Sequence, residues 1–393
     1  MNENEKPERS RESTRRDFIK TTAVTAAGAV VASYWLNDGA SAQEEGGKAP
    51  SGPNERVNLG LIGTGGMGSA HLISFMEMAE GGLENVQITA VSDVAIPRLE
   101  SNADVVSKRQ GTPVARYPDY RALLDSKDVD CVVIASPEHW HAQMAIDALA
   151  AGKDVYLEKP MTLRLDEAFK LRRAVSDNKK HFVQVGTQFM MYPKYKAAKK
   201  LIAAGEIGHP TFSQTSYCRN SLDGEWLYGI DPAIVPGPAL DWDAWCGPLG
   251  KADWDPEIYF RWRRYRNYST GIIGDLLVHK MTPLMMAIDA GWPVRVTAHG
   301  GHYVDKAMEN HDQVNITVQF EKEHTMIVAG STCNEQGLQD MIRGHRGTIY
   351  LGGSDMVLRP ERIFVDDLDE QQEKYEGMEP QNELRRNFLD CVR

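Results

Sequence analysis

The sequence predicts an α/β chain in two parts, a doubly wound parallel sheet followed by an α+β domain on a large open, mostly antiparallel sheet. Three observations carry this. Strand-like apolar runs alternate with helical patterns from residue 57 to about residue 187, as crossover helices between parallel strands require. A G-x-G-x-x-G run, Gly63 to Gly68, stands where the first apolar run passes into the first helix. After about residue 189 several strands follow one another, which marks antiparallel pairing. A length of 393 residues is itself a prior for two domains, placed at 55–187 and 188–393.

The first part reads in order. Val57–Ile62 is an apolar strand, and Ser69, Ala70, His71 and Leu72 open a helix. Between them Gly63, Gly65, Gly66, Met67 and Gly68 form a turn of the Rossmann type. Its glycines let the chain tighten, let backbone approach a pyrophosphate, and let helix pack on strand. Backbone N–H groups at the helix start then face phosphate. Val86–Ser92 is a second strand, closed by Asp93, a carboxylate placed for a ribose diol. It favours NAD, while nearby Arg98 keeps NADP possible. A helix at 119–125, a buried-type strand at 129–135, a helix at 141–151, a strand at 154–157, a helix at 165–178 and a sixth strand at 181–185 continue the alternation.

In the second part a helix at 194–204 leads into an alternating strand at 210–217. Further strands fall at 294–300, 313–320, 324–331 and 347–351. Residues 223–256, rich in Trp, Pro and Gly, read as an ordered irregular loop. Residues 382–393 form an amphipathic helix with no stop signal.

Composition is that of a globular protein, 42% hydrophobic and 25% charged. The net charge of -11 argues against nucleic-acid or anionic-membrane partners. Cys131, Cys218, Cys246, Cys333 and Cys391 are scattered without ligand spacing, so no metal site and no disulfide framework are expected, and they read as buried small hydrophobes. The N-terminus carries an address. Arg15 and Arg16, then Phe18, Ile19 and Lys20, have the look of a twin-arginine signal. A mildly apolar stretch at 21–36 is too short to span a bilayer comfortably, and Ala40-Ser41-Ala42 offers a cleavage site. Residues 1–42 are therefore read as a signal peptide and 43–54 as a flexible lead-in. The mature protein is expected in the periplasm, folded before export and without a membrane span.

Several separate motifs resemble one family. They are Ser136-Pro137-Glu138-His139-Trp140-His141, the run ending Glu158-Lys159-Pro160, Gln184 to Gln188, Asp241 to Pro248, and Gly271 to His279. Together they look like the Gfo/Idh/MocA oxidoreductases, over essentially the whole chain from residue 55. The resemblance implies an NAD(P)-dependent enzyme acting on a sugar, sugar derivative or cyclitol. Lys159, Asp275 and His279 would be catalytic. Ser136, Pro137, His141, Glu158, Lys159 and Gln188 would join the glycines and Asp93 around the cofactor. Arg263 would touch substrate. The resemblance further implies a homo-oligomer, dimer or tetramer, assembled through the second sheet. By the same resemblance relatives usually continue for some tens of residues past this point, so a shortened form or a fragment is the expectation.

The residues themselves agree. Lys159 ends a strand, at the edge where open α/β sheets bind ligands. Asp275 and His279, four apart, share a face on a helix, and a Lys, an Asp and a His together can bind a hydroxyl and take its proton. His139 or His141 would line the nicotinamide pocket. Residues 261–266 alternate charge and ring, as a sugar contact or as an edge strand at a subunit interface. Two departures from the family pattern stand out: Thr282, followed by Pro283, where relatives carry an acid, and a thinned glycine run from Ser269 to Gly274. Two alternatives stay open. One is a glycoside hydrolase or epimerase using transient oxidation, which Leu277-Val278-His279-Lys280 disfavours because that branch carries a Tyr-Pro-Thr-His style segment. The other is a non-catalytic sugar-binding protein.

Overall fold

The computed structural model describes residues 56–393; the signal segment and lead-in lie outside them. β1 (Val57–Ile62), β2 (Val86–Ser92), β3 (Ala115–Tyr117), β4 (Cys131–Ile134), β5 (Asp154–Leu157) and β6 (Val183–Val185) form one sheet in the order β3-β2-β1-β4-β5-β6. Every pairing in it is parallel. The helices between them are α1 (Gly66–Glu80), α2 (Ile96–Gln110), α3 (Tyr120–Leu124), α4 (Glu138–Ala150) and α5 (Leu165–Asp177). The order reverses between β1 and β4, which opens a crevice at the carboxyl ends of those strands. Strand β4 is buried at every position, as a strand covered on both faces must be.

The second sheet has eight strands. They are β7 (Pro210–Cys218), β8 (Pro293–Gly301), β9 (Gln313–Phe320), β10 (His324–Ser331), β11 (Met341–Gly344), β12 (Gly347–Tyr350), β13 (Asp355–Pro360) and β14 (Gln371–Lys374), ordered β14-β13-β12-β11-β7-β10-β9-β8. All neighbours are antiparallel except β7 and β10. The helices α6 (Pro193–Ala203) and, after a π turn at Ile273–Leu277, α9 (Val278–Ile288) cover one face. Between β7 and that turn lie α7 (Trp242–Cys246) and α8 (Pro256–Arg261). They carry a compact aromatic cluster in which Trp242 stacks on Trp245 at 4.8 Å. α10 (Pro380–Val392) closes the described chain.

Several details differ from the sequence reading. Helix α4 begins three residues early, at Glu138, because Pro137 supplies an extended residue just before the first turn. The short strands β3, β11, β13 and β14 have weak alternation and pass unnoticed. The edge-strand alternative for residues 261–266 does not hold: they lie in the end of α8, a tight turn (Trp262–Arg264) and the loop after it. Of the cysteines only Cys131 and Cys246 are buried; Cys218 and Cys333 are half-buried and Cys391 is exposed.

The last helix returns to the first sheet. Leu384, Phe388 and Leu389 join the core made by β1, β2 and α1, and Phe388 meets the edges of Tyr156 and Phe182 at 5.7 and 5.8 Å. Among the described residues no helix is long and apolar enough to cross a membrane.

Candidate active site

The glycine turn between β1 and α1 is shaped for a close ligand. Gly63 has φ +88°, and a Cβ there would lie 2.8 Å from backbone of Ala135 and Ser136. At Gly68 a Cβ would fall 1.9 Å from the Gly63 carbonyl oxygen. Gly65, by contrast, faces open space, with only an Arg98 guanidinium nitrogen 3.6 Å from such a Cβ. Gly66 and Met67 begin α1, so their N–H groups belong to its unpaired first turn. Asp93 closes this end. Its Oδ2 accepts from the Thr64 amide (2.7 Å) and hydroxyl (3.0 Å), and Oδ1 accepts from the Ala95 amide at 2.8 Å. The carboxylate thereby ties β2 to the glycine turn and keeps lone pairs for a further donor. Arg98 lies over Tyr259 and Phe260, 5.1 and 5.5 Å from their ring centres.

At the carboxyl end of β4, Ser136 is buried and its hydroxyl has no partner. Pro137 follows, and the first turn of α4 then contributes four buried side chains, Glu138, His139, Trp140 and His141. His141 sets both ring nitrogens against backbone carbonyls, Pro160 at 2.6 Å and Ser136 at 2.8 Å. Its polar atoms thus hold the two turns together. His139 Nε2 and the Trp140 indole N–H both reach the Trp245 carbonyl, at 2.8 and 2.9 Å.

Lys159, two residues past the end of β5, reaches across to the π turn. Its ammonium donates to the Asp275 carboxylate and to the same residue's carbonyl, each at 2.9 Å. Arg263 Nε donates to the same carboxylate oxygen at 3.1 Å. Burial raises the Asp275 carboxyl, but Lys159 and Arg263 outweigh it and hold the group well below the usual carboxylate range. Arg263 is correspondingly raised: burial acts against it, and Asp275 overrides.

His279 sits one turn on, 5.3 Å ring to ring from Phe189 and 6.4 Å from Tyr217. Its Nδ1 is buried without a partner. Burial, then the Lys159 charge, push it down to about 3, so the ring is neutral at physiological pH. The four-residue spacing does bring Asp275 and His279 to one region, yet the Asp275 bonds go to Lys159 and Arg263. Pro283 lacks the N–H that would bond the His279 carbonyl. Phe189 and Tyr217 also line an open depression of about 450 Å³, together with Lys280, Glu335 and Asp340 among others. Such a volume is in the range of small-molecule sites.

Glu158 is buried next to this cluster, its Oε2 accepting from the Lys159 amide at 3.2 Å. It accepts from His71 Nε2 at 2.8 Å, and Arg385 of α10 donates to His71 Nδ1 at 3.1 Å. Gln188 is buried at the start of a short turn (Gln188–Met191) after β6. Sequence reasoning did not read Glu138, His71, Arg385, Phe189, Tyr217, Lys280 or Asp340 as site residues. None carries a local signal, because each is defined by a partner distant in the chain. Among the described residues no group of three or more His, Cys, Asp or Glu is placed to hold a metal ion.

Fold and site together define a dinucleotide-dependent oxidoreductase with a sheet-backed second domain. The chain belongs to the Gfo/Idh/MocA oxidoreductase family. Residues 57–187 match its NAD-binding Rossmann fold and residues 191–393 its C-terminal alpha/beta domain. Residues 12–32 match a twin-arginine translocation signal, which directs the protein to the periplasm. Among curated relatives, a glycosyl hydrolase family 109 protein of Shewanella sp. (strain ANA-3) is 33% identical over 168 residues, 40% of this chain and 36% of the relative. An alpha-N-acetylgalactosaminidase of Shewanella oneidensis is 32% identical over the same length and shares. The match thus spans about a third of those relatives.

Among solved structures, an NAD binding oxidoreductase from Klebsiella pneumoniae aligns with a TM-score of 0.60 at 23% identity, over 81% of this chain and 79% of its own. A levoglucosan dehydrogenase in complex with NADH and levoglucosan aligns with a TM-score of 0.63 at 20% identity, over 86% and 90%. The first domain is of the NAD-binding Rossmann type, and the glycine cradle at Gly63, Gly65 and Gly68 and the unpartnered Ser136 hydroxyl fit such a group.

Proposed function

We propose that the protein is an NAD(P)-dependent dehydrogenase that moves a hydride between the nicotinamide and a hydroxyl of a sugar, sugar derivative or cyclitol. The observation that supports this best is the Lys159–Asp275–Arg263 ion cluster beside a neutral, unpartnered His279, at the carboxyl edge of the first sheet. In this reading Gly63, Gly65, Gly66, Met67 and Gly68 receive the pyrophosphate and Asp93 the ribose diol. Ser136, Pro137 and Gln188 border the nicotinamide, with Glu158 and His141 behind them. NAD, when bound, supplies the hydride acceptor.

The chain's own residues do the rest. Asp275 and Arg263 fix the Lys159 ammonium so that it points a positive charge at the reacting oxygen. That charge stabilises developing alkoxide. His279, neutral at working pH, accepts the hydroxyl proton, and returns it in the reverse direction. Asp275 and Arg263 also offer the sugar's neighbouring hydroxyls hydrogen-bonding partners. The open 450 Å³ depression that shares Phe189 and Tyr217 with the His279 surroundings leaves room for the rest of the substrate, with those two rings as flat apolar surfaces.

A second reading, hydrolysis of a glycoside through transient oxidation, draws support from the names of the curated relatives at 33% identity. One experiment separates the two. The purified protein is denatured to release bound dinucleotide, and the native protein is offered a panel of sugars, cyclitols and nitrophenyl glycosides. Net NADH formation supports the dehydrogenase. Nitrophenol release without net NADH would replace it with the hydrolase, and neither activity with no bound dinucleotide would leave a sugar-binding protein. The reading includes a homo-oligomer built through the second sheet, at whose β8 edge Val294 and Val296 are exposed; light scattering gives its mass.

A further inference from the structure

The first turn of α4 bonds to the chain beside both halves of the ion cluster, at Pro160 and at Ser269 and Thr270, without belonging to it. Glu138 is fully buried, yet it faces the second domain rather than the crevice. Its Oε1 accepts from the Ser269 hydroxyl at 2.7 Å. Its Oε2 accepts from the Thr270 amide at 2.7 Å and hydroxyl at 2.8 Å. Three donors on one buried carboxylate form a saturated joint between a Rossmann helix and the segment that leads into the π turn.

What that joint fixes is the approach of Asp275. A Cβ on Gly274 would lie 1.9 Å from Thr270 Oγ1 and 3.1 Å from Pro160 Cβ. Thr270, Gly274 and Pro160 therefore pack in direct contact, and the residues next to the last two are Asp275 and Lys159. On the other side His141, three residues after Glu138, holds the Pro160 carbonyl at 2.6 Å. One helical turn thus grips the chain on each side of the Lys159–Asp275 bond. Arg263 is held from the same region, since Asn310 Nδ2 donates to its carbonyl at 2.9 Å and lies 3.4 Å from the Ser269 carbonyl.

We infer that Glu138 is a positioning residue for the Lys159–Asp275 pair, acting through Thr270 and Gly274 on the geometry of the reacting site. It touches neither substrate nor cofactor. The inference rests on the proposed role of Lys159 for its catalytic consequence, but not for its structural one. Burial pushes the Glu138 carboxyl up to about 7, against the pull of its three donors. A group held at that cost in a site that a neutral residue could fill points to a geometric duty.

The test uses the mature protein with Glu138→Ala, Glu138→Gln and Thr270→Val, and reads Lys159 directly. Acetic anhydride labelling, quantified by mass spectrometry against exposed Lys170 and Lys251, reports how firmly the ammonium is engaged. The expected result is several-fold faster Lys159 labelling in Glu138→Ala and Thr270→Val, with dinucleotide binding unchanged and Glu138→Gln close to wild type. In an active preparation kcat falls by about 100-fold with the KM for dinucleotide unchanged, as a displacement near 1 Å predicts. Wild-type labelling in both Glu138→Ala and Thr270→Val would overturn the inference. If Glu138→Ala does not fold, Thr270→Val alone decides. A protein that oxidises no sugar would sink the proposed activity while the labelling still tests the joint.

Discussion

Lys159 and Asp275 are joined twice, by carboxylate and by carbonyl, each at 2.9 Å, across a sequence separation of 116 residues. A strand end of one sheet and a π turn packed on the other meet at this pair. The second bond matters for orientation: it holds the ammonium to the backbone of the π turn as well as to a side chain.

Replacing Lys159 with Ala should abolish turnover, by about 10²–10³-fold or more, as loss of a preorganised charge does. Dinucleotide binding should stay within a few-fold. The fold should survive, because Arg263 still neutralises the buried Asp275 carboxylate. Steady-state kinetics with dinucleotide titration checks this, and loss of binding would contradict the assigned role.

Gly68→Ala and Gly65→Ala should part company. The first drives a Cβ to 1.9 Å from the Gly63 oxygen, so both stability and binding fall, stability by about 1–3 kcal/mol. The second meets only the tip of Arg98 at 3.6 Å, so its melting temperature should match wild type while dinucleotide binding weakens. Calorimetry of binding alongside thermal melts tells them apart.

Asp93→Ala should weaken NAD more than NADP, by about 1–3 kcal/mol for NAD once the Thr64 and Ala95 donors also lose their acceptor. Arg98→Ala should remove most residual NADP binding, because its guanidinium stands over the same end of the site. Equal weakening of both dinucleotides by Asp93→Ala would make that residue purely a turn-tying group.

Acid should destabilise the protein through its neutral histidines. Burial depresses His139 to about 4 and His279 to about 3. Their contribution is present above the unfolded value of 6.5 and is lost as pH falls below it, about 2 kcal/mol each by pH 5. Glu138, raised to about 7, runs the other way: its contribution is full below 4.5 and lost as pH rises towards 7. Denaturant midpoints at pH 7.5 and 5 for wild type and His279→Phe isolate the histidine, and an unchanged difference between the two pH values would show that folding does not depress the His279 titration.

Phe388→Ala should cost about 3–5 kcal/mol, as large core truncations do. Phe388 is fully buried between Tyr156 and Phe182 in the first core. The loss should appear as a lowered melting temperature and, through the Arg385–His71–Glu158 chain at α10, as a weakened dinucleotide site.

How far the site could be read in advance follows from how its residues are linked. The glycine turn, Asp93 and Lys159 were legible because each lies beside a strand end whose period and punctuation are local. Asp275 and His279 were legible as a pair four apart on a helical face, but their partners were not. Nothing near Asp275 in sequence announces Arg263 as its second cation, and the π turn that carries it has no compositional mark. His141 drew attention as a candidate cofactor contact, and its two carbonyl partners, Ser136 and Pro160, which give it the further part of holding two turns together, had no local mark. Residues 261–266 misled for a related reason, since alternation of ring and charge reads as a strand when the helix ending at Arg261 is not foreseen.

By itself the sequence determined the two sheets, the ligand-binding edge at the strand ends of the first, the export signal, and the residue types available for chemistry. Those depend on periodicity, glycine placement and short motifs, all encoded within a few residues. The tertiary structure alone decided that Asp275 serves Lys159 and Arg263, that Glu138 binds the π-turn segment to α4, and that the final helix returns to the first core. These are contacts between segments more than 100 residues apart, save for Arg263 and Asp275, whose meeting depends on the turn between them. Such pairs are selected by packing and burial once the chain has closed on itself, and no local pattern encodes them.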